Sequence, residues 1–190
     1  MIWEWAYWLK RTPWDTGVTP PELLELVAAR FHGGGRAIDV GCGTGANVVF
    51  LARSGFATLG IDVSRRAIAL ARRRLREAAV LAEVKVGSAT RLRQLAGQQS
   101  FDLALDIGCF HVLSPSDRRA YADGLRQCVV KRGVYLLYAF LPRESSRRVR
   151  GASPDEIGSL FADGFLLENM KQGEDGGSGY ASAWYTLRRV

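Results

Sequence analysis

Apolar and polar positions along this chain switch between two periods. Ala37–Val40 is an apolar run interrupted only by Asp39, and Ala57–Ile61 is a second apolar run; both read as buried strands. A helical pattern starts near Ala46 between them. Ser64–Ala78 carries an apolar stripe at Ile68, Ala71, Leu75 and Ala78, the spacing of a core-facing helix side. Ala82–Val86, Phe101–Asp106 and Gly133–Phe140 are the next strands, the last apolar throughout as a central parallel strand should be. Phe165–Lys171 and Tyr180–Arg189 flank the loop Gln172–Gly179 and read as a hairpin.

Three stretches spell a helix start: Thr19-Pro20-Pro21-Glu22, Ser114-Pro115-Ser116-Asp117 and Ser153-Pro154-Asp155-Glu156. Each offers a capping hydroxyl, a proline in the first turn and an acid at the third position. The first helix is expected to run to Phe31 and stop at His32-Gly33-Gly34-Gly35, and the third to run to Asp163. Five strands alternating with helices, then a closing strand pair, predict an α/β fold: five parallel strands, an antiparallel hairpin and helices on both faces.

Composition narrows the class without changing the fold. With 190 residues, 47% hydrophobic and 24% charged, the chain fits one globular domain. No apolar run approaches the roughly 20 residues of a membrane span, and the N-terminus lacks a signal peptide's order of basic then apolar residues. Cys42, Cys109 and Cys128 are odd in number and have no CxxC spacing, which points to reduced thiols in a cytoplasmic protein and no metal site. Net charge is +7, supplied by 22 arginines against 4 lysines. Arg65, Arg66, Arg72, Arg73, Arg74 and Arg76 share the helix that carries the apolar stripe, so they read as its solvated side or as an RNA-binding face.

The chemistry concentrates in residues 37–62, AIDVGCGTGANVVFLARSGFATLGID. A strand meets the turn Gly41-Cys42-Gly43-Thr44-Gly45, a helix follows, and a second strand ends on Asp62, 21 residues after the first glycine. Such a unit binds a nucleoside-containing cofactor, with the acid accepting from the ribose hydroxyls. Asp39 decides which cofactor. A dinucleotide would set its anionic pyrophosphate on this turn, where a carboxylate repels it. S-adenosylmethionine (SAM) has no phosphate and carries an ammonium and a sulfonium, so an acid there is favourable. The run D-V-G-C-G-T-G with Asp62 and GIDVS resembles motifs one and two of class I SAM-dependent methyltransferases.

That resemblance implies a Rossmann-like seven-stranded methyltransferase sheet and a set of site residues. Asp39 and the backbone of Gly41, Cys42, Gly43 and Gly45 would face the methionine moiety, Asp62 the ribose, and Val63 and Ala89 the adenine. Ser88 stands where the family carries an acid, a departure that removes charge assistance from adenine recognition. Asp106 and Ile107 end the fourth strand near the ligand, and Phe110 and His111 would line the acceptor side. His111 is a candidate general base, or a packing histidine under the next helix. No Asn/Asp-Pro-Pro-Tyr/Phe motif occurs there, which counts against the nucleobase or amide N-methylation that uses it.

The N-terminal stretch MIWEWAYWLKRTPW holds four of five tryptophans and predicts a short aromatic helix. It reads as a docked helix, as a lid formed by residues 1–18 over the active site with Trp14 and Thr16 toward the cofactor, or as an interfacial anchor beside Lys10 and Arg11. The run PWDTG-x-x-PPELLELV resembles the N-terminal segment of small bacterial small-molecule methyltransferases, including relatives of the thiol and thiopurine enzymes. The loop Arg143–Ala152 adds four arginines, read as a border for an acidic acceptor or as a solvated loop. The expected protein is a cytoplasmic monomer or homodimer that methylates an O, S or N atom of a small molecule. The alternatives are an RNA or protein methyltransferase using the arginines, a SAM-binding protein that transfers no methyl, and, more distantly, an NAD-dependent oxidoreductase.

Overall fold

The computed structural model describes residues 2–9, 12–143 and 151–190. Lys10, Arg11 and residues 144–150 lie outside these, and with them the basic flank of the anchor reading and most of the arginine loop. The strands form a seven-stranded sheet in the order β3-β2-β1-β4-β5-β7-β6. The chain divides into two compact units, Met1–Ala89 and Thr90–Val190.

The first unit holds α1 (Ile2–Trp8), α2 (Pro21–Arg30), β1 (Gly35–Val40), α3 (Ala46–Arg53), β2 (Phe56–Asp62), α4 (Arg65–Glu77) and β3 (Glu83–Val86). β1 pairs in parallel with β2, and β2 with β3, so β2 is central among the three. Cys42, Val48, Val49, Ile68, Ala71, Leu75 and Val84 pack into one apolar cluster. The α4 stripe is therefore core, as the spacing predicts. Arg65, Arg72, Arg73 and Arg76 are exposed, while Arg66 and Arg74 are half-buried. Part of this cationic surface is committed within the unit: Arg73 pairs with Glu77 at 2.6 Å, and the Arg66 guanidinium lies 4.8 Å from the Trp8 ring centroid.

The second unit holds α5 (Leu92–Ala96), β4 (Phe101–Ile107), α6 (Pro115–Cys128), β5 (Val129–Phe140), α7 (Pro154–Phe161), β6 (Phe165–Glu174) and β7 (Ala181–Arg189). β4 and β5 are parallel, whereas β7 runs antiparallel to both β5 and β6. The expected closing hairpin is thus present, with β6 longer and its loop shorter than the sequence suggests.

Two boundaries depart from expectation for local reasons. Thr19 does not cap α2: Pro20 occupies the capping position in an extended conformation, with no side-chain cap bond. Ser114 and Ser153 do cap their helices, accepting from the Asp117 and Glu156 amides. β5 begins at Val129, directly after α6, instead of at Gly133; Arg132 adopts a φ of 67° and the pairing with β4 shifts register between Phe101 and Leu103. The charged Lys131-Arg132 pair sits at that irregularity and masks the strand's start.

Candidate active site

The glycine turn is built by backbone geometry that side chains would obstruct. Gly41, Gly43 and Gly45 have φ of 78°, 52° and 81°, a region L-residues rarely enter. A Cβ on Gly43 would come 2.9 Å from the Tyr7 hydroxyl, and one on Gly45 would meet the Ala71 Cβ at 3.0 Å. The turn is tied to β2 by the Gly41 and Cys42 amides, which donate to the Ile61 carbonyl at 2.7 and 3.0 Å.

Asp62 fastens the two halves of this motif. Its Oδ2 accepts from the Gly43 amide at 3.0 Å and its Oδ1 from the Ser64 amide at 2.8 Å. Burial raises its carboxyl above the usual range; the two amides oppose that, and the carboxylates of Asp15 and Glu4 add to it. Burial likewise pushes the Cys42 thiol up, helped by the Asp39, Asp62 and Asp15 carboxylates. Asp39 itself is 2% exposed. An acid-rich surround of this kind fits a cationic ligand and repels a polyanion. The residues present therefore suit SAM and do not suit a dinucleotide.

The N-terminal segment packs on the same turn through Asp15 and Tyr7, and Trp14 donates to the Tyr7 hydroxyl at 3.5 Å. Asp15 accepts from the Thr44 hydroxyl at 2.9 Å and from the Thr44 amide at 3.3 Å. Tyr7 is 6% exposed, and burial raises its hydroxyl well above the ordinary range, the charge of Asp62 adding to the effect. Glu4 accepts from the Ser64 hydroxyl at 2.6 Å, which anchors α1 at the N-terminus of α4 where a carboxylate is favoured. Of the two expected lid residues, Trp14 is half exposed and packs edge-on against Trp3, with centroids 5.3 Å apart. Thr16 only closes a local turn, accepting from the Val18 amide at 3.2 Å. The sequence held a signal for Asp15, an acid in a turn with no helix to cap; nothing distinguished Tyr7 from its aromatic neighbours.

Val63, just after β2, is exposed; beyond the end of β3, Ser88 is half-buried and Ala89 is buried. Ile107 is half-buried at the end of β4. Asp106, expected near the ligand, ends β4 with its side chain fully enclosed. It is 0% exposed, and its Oδ1 accepts from the Cys109 and Phe110 amides at 2.8 and 3.2 Å. Its Oδ2 accepts from the Tyr121 hydroxyl at 2.8 Å, with Tyr135 3.1 Å beyond. Burial raises this carboxyl to about 7, against those three donors. Through the Cys109 and Phe110 amides, Asp106 holds the entry to the one-turn 3-10 helix Phe110–Val112.

His111, the candidate base, is enclosed in a similar way. It is 4% exposed, and its Nδ1 accepts from the Phe140 amide at 3.2 Å. Burial, then the charges of Arg118 and Arg143, lower it to about 4. The imidazole is neutral with its proton on Nε2, so the nitrogen able to take a proton is already engaged. Arg118 holds this turn from behind. It is buried, pairs with both Glu156 oxygens at 2.6 Å, and donates to the His111 and Gly151 carbonyls. Among the described residues, no group of three or more His, Cys, Asp or Glu side chains could hold a metal ion.

The sheet order, with its antiparallel seventh strand, and the acid-lined glycine turn define a Rossmann-like protein of the SAM-binding class. The methyltransferase domain family matches residues 37–133. The chain belongs to this family, among the class I SAM-dependent methyltransferases. A probable thiol methyltransferase of Arabidopsis thaliana is 28% identical over 157 residues, covering 82% of this chain and 66% of that protein. The 2-heptyl-1-hydroxyquinolin-4(1H)-one methyltransferase of Mycobacteroides abscessus is 28% identical over 131 residues, covering 68% of this chain and 56% of that protein. In structure, the chain matches the Burkholderia thailandensis 1,6-didemethyltoxoflavin N1-methyltransferase with bound S-adenosylhomocysteine, at a TM-score of 0.81 and 16% identity over 97% of this chain and 84% of that one. That last likeness shows the fold alone. Among the described residues, no helix is long and apolar enough to cross a membrane.

Proposed function

We propose that the chain transfers a methyl group from SAM to an oxygen, sulfur or nitrogen atom of a small-molecule acceptor, in the cytoplasm, with residues 1–18 acting as a lid. The observation that carries the reading is the glycine turn held by Asp62 and crowded by Asp15 and Asp39, a binding surface for a cation bearing a ribose. SAM supplies an already activated methyl on sulfur. The chain's residues bind and align: Asp62 retains lone pairs for ribose hydroxyls beyond the two amides it accepts from, Asp39 and the turn face the methionine part, and Val63 and Ala89 offer an apolar contact for adenine.

Methyl transfer breaks the sulfur–carbon bond and forms the bond from the acceptor atom to carbon. An acceptor proton, if present, leaves to water. Alignment supplies most of the acceleration in such a displacement, so no side-chain base is required. The relatives named for thiol and quinolone acceptors support a small molecule.

A second reading rests on the exposed arginines of α4 and makes RNA or protein the acceptor. Labelled methyl from SAM, added with the protein to a cell extract, separates the two by size. Label in the small-molecule fraction is expected. Label in RNA or protein, falling steeply with salt, would overturn the proposal. Binding of SAM with no label in any fraction would favour a protein that binds it without transfer.

A further inference from the structure

The first unit turns a second aromatic face outward. In α1, Trp3 and Tyr7 stand at i and i+4 and point inward, Trp3 against Trp14 and Tyr7 toward Gly43. Trp5, Trp8 and Leu9 stand at i, i+3 and i+4 on the opposite side of the helix. Leu9 follows the last helical residue, and its amide still donates to the Trp5 carbonyl at 2.9 Å. These three side chains are 67%, 60% and 60% exposed. The outer stripe is thus as apolar as the inner one and is left open, the mark of an interaction site and not of a core-facing helix.

This face adjoins a row of positive charge. Glu4 accepts from the Ser64 hydroxyl at 2.6 Å and from the Arg66 amide at 3.4 Å, which fixes α1 at the N-terminal end of α4. The Arg66 guanidinium covers one face of the Trp8 ring. The exposed side of α4 carries Arg65, Ala69, Arg72, Arg73 and Arg76. Arg73 is paired with Glu77. Arg65, Arg72 and Arg76 follow one another at spacings of seven and four residues, a single stripe that starts beside the aromatic face. At 1.5 Å of rise per residue, Arg72 lies about 10 Å along the helix from Arg65.

Charge and ring access together decide what covers the face. A second copy offers the same surplus of positive charge, and a net +7 on each chain opposes that pairing. Single-stranded RNA supplies phosphates but stacks its bases on open ring faces, and Arg66 already occupies one face of Trp8. An anionic bilayer matches every feature: phosphates for the arginines, hydrocarbon for Leu9, and the interfacial layer in which indole rings are favoured. We infer that α1 and the adjoining stripe of α4 dock the protein on an anionic lipid surface. Trp5, Trp8 and Leu9 enter the interface, and Arg65, Arg72 and Arg76 meet the headgroups. Trp3 and Tyr7 stay on the inner side of α1, so docking uses none of the contacts at the glycine turn. The inference is independent of methyl transfer and of its acceptor.

Sedimentation of the full chain with sucrose-loaded vesicles tests this. The probes are vesicles of phosphatidylcholine alone and of equal parts phosphatidylcholine and phosphatidylglycerol. Binding should be at least roughly tenfold tighter to the mixed vesicles and should weaken as salt is added. Arg65→Gln combined with Arg72→Gln should weaken it about 25-fold, roughly fivefold per charge. Trp5→Ser combined with Trp8→Ser should weaken it at least roughly tenfold, with an unchanged far-ultraviolet spectrum. A measurement on the native chain needs no substitution: mixed vesicles whose phosphatidylcholine is brominated on its acyl chains should quench the tryptophan fluorescence. No binding to the mixed vesicles, equal binding to the neutral ones, or binding without quenching would overturn the inference. Tighter binding of oligouridylate than of vesicles, lost in the double tryptophan variant, would overturn it in favour of nucleic acid. A concentration-dependent dimer that the same variant dissolves would overturn it in favour of a second copy.

Discussion

Asp15 accepts a hydrogen bond from the Thr44 hydroxyl at 2.9 Å across a separation of 29 residues, which latches the N-terminal segment onto the glycine turn. The same carboxylate takes the Thr44 amide at 3.3 Å, so one side chain fixes both a helix-entry residue and its backbone. Hydrogen bonds to a charged group contribute about 1.5–3 kcal/mol, enough to decide whether a short segment stays closed. Asp15→Ala should therefore weaken SAM binding roughly tenfold and speed proteolysis ahead of Pro20. A double-mutant cycle with Thr44→Val is the check: strong coupling supports the latch, and additive effects would mean that the two residues act independently.

The pH dependence of stability should carry the signature of two buried groups acting in opposite directions. Asp106 titrates near about 7 in the fold against a usual 3.8, so the folded state holds its proton longer. Its contribution is full below the unfolded value and is lost as pH rises through the folded one. His111 titrates near about 4 against 6.5, so its contribution is present above 6.5 and lost as pH falls. Between those limits the two oppose each other, and from 6.5 to about 7 only Asp106 acts. Thermal melts should show stability declining through this upper window in the native chain. Asp106→Asn keeps the three bonds with the Tyr121 hydroxyl turned to accept, and should abolish the decline; a decline of the same size in the variant would contradict this origin.

His111→Gln separates a base from a positioning residue. The glutamine amide oxygen can accept from the Phe140 N–H as His111 Nδ1 does. Transfer to any acceptor found should then stay within roughly threefold of the native rate, far from the 10²–10⁴-fold loss that removal of a general base brings. A rate–pH profile with a limb near the ordinary histidine value, lost in the variant, would restore His111 as the base.

The cofactor half of the site was more legible in sequence than the rest because it depends on local chemistry. Glycines at 41, 43 and 45 need backbone conformations that announce themselves, and the acid ending β2 has to sit at the end of a strand. The five parallel strands and the closing hairpin followed from the same alternation of strand and helix, whereas the strand order came only with the structure. What stayed hidden depended on partners distant in sequence. Asp106 reads as a ligand carboxylate because it ends a strand; that Tyr121 and the amides after it also donate to it is visible only once the turn is folded. Tyr7 and Asp15 reach the glycine turn across 36 and 29 residues, with no periodicity linking them. The start of β5 was obscured by Lys131 and Arg132, and Thr19 looked like a cap until two consecutive prolines fixed the backbone that enters α2.

The most direct test of the account is a calorimetric titration of SAM into the native chain and Asp62→Ala. Asp62 is the one side chain that both shapes the turn, through Gly43, and would meet the ribose, so its loss should be felt at once in affinity. The account predicts a single site in the native protein and affinity at least about tenfold weaker in the variant, the cost of one or two charged hydrogen bonds, with an unchanged far-ultraviolet spectrum. Equal affinity in the two proteins, or no binding to either, would contradict it.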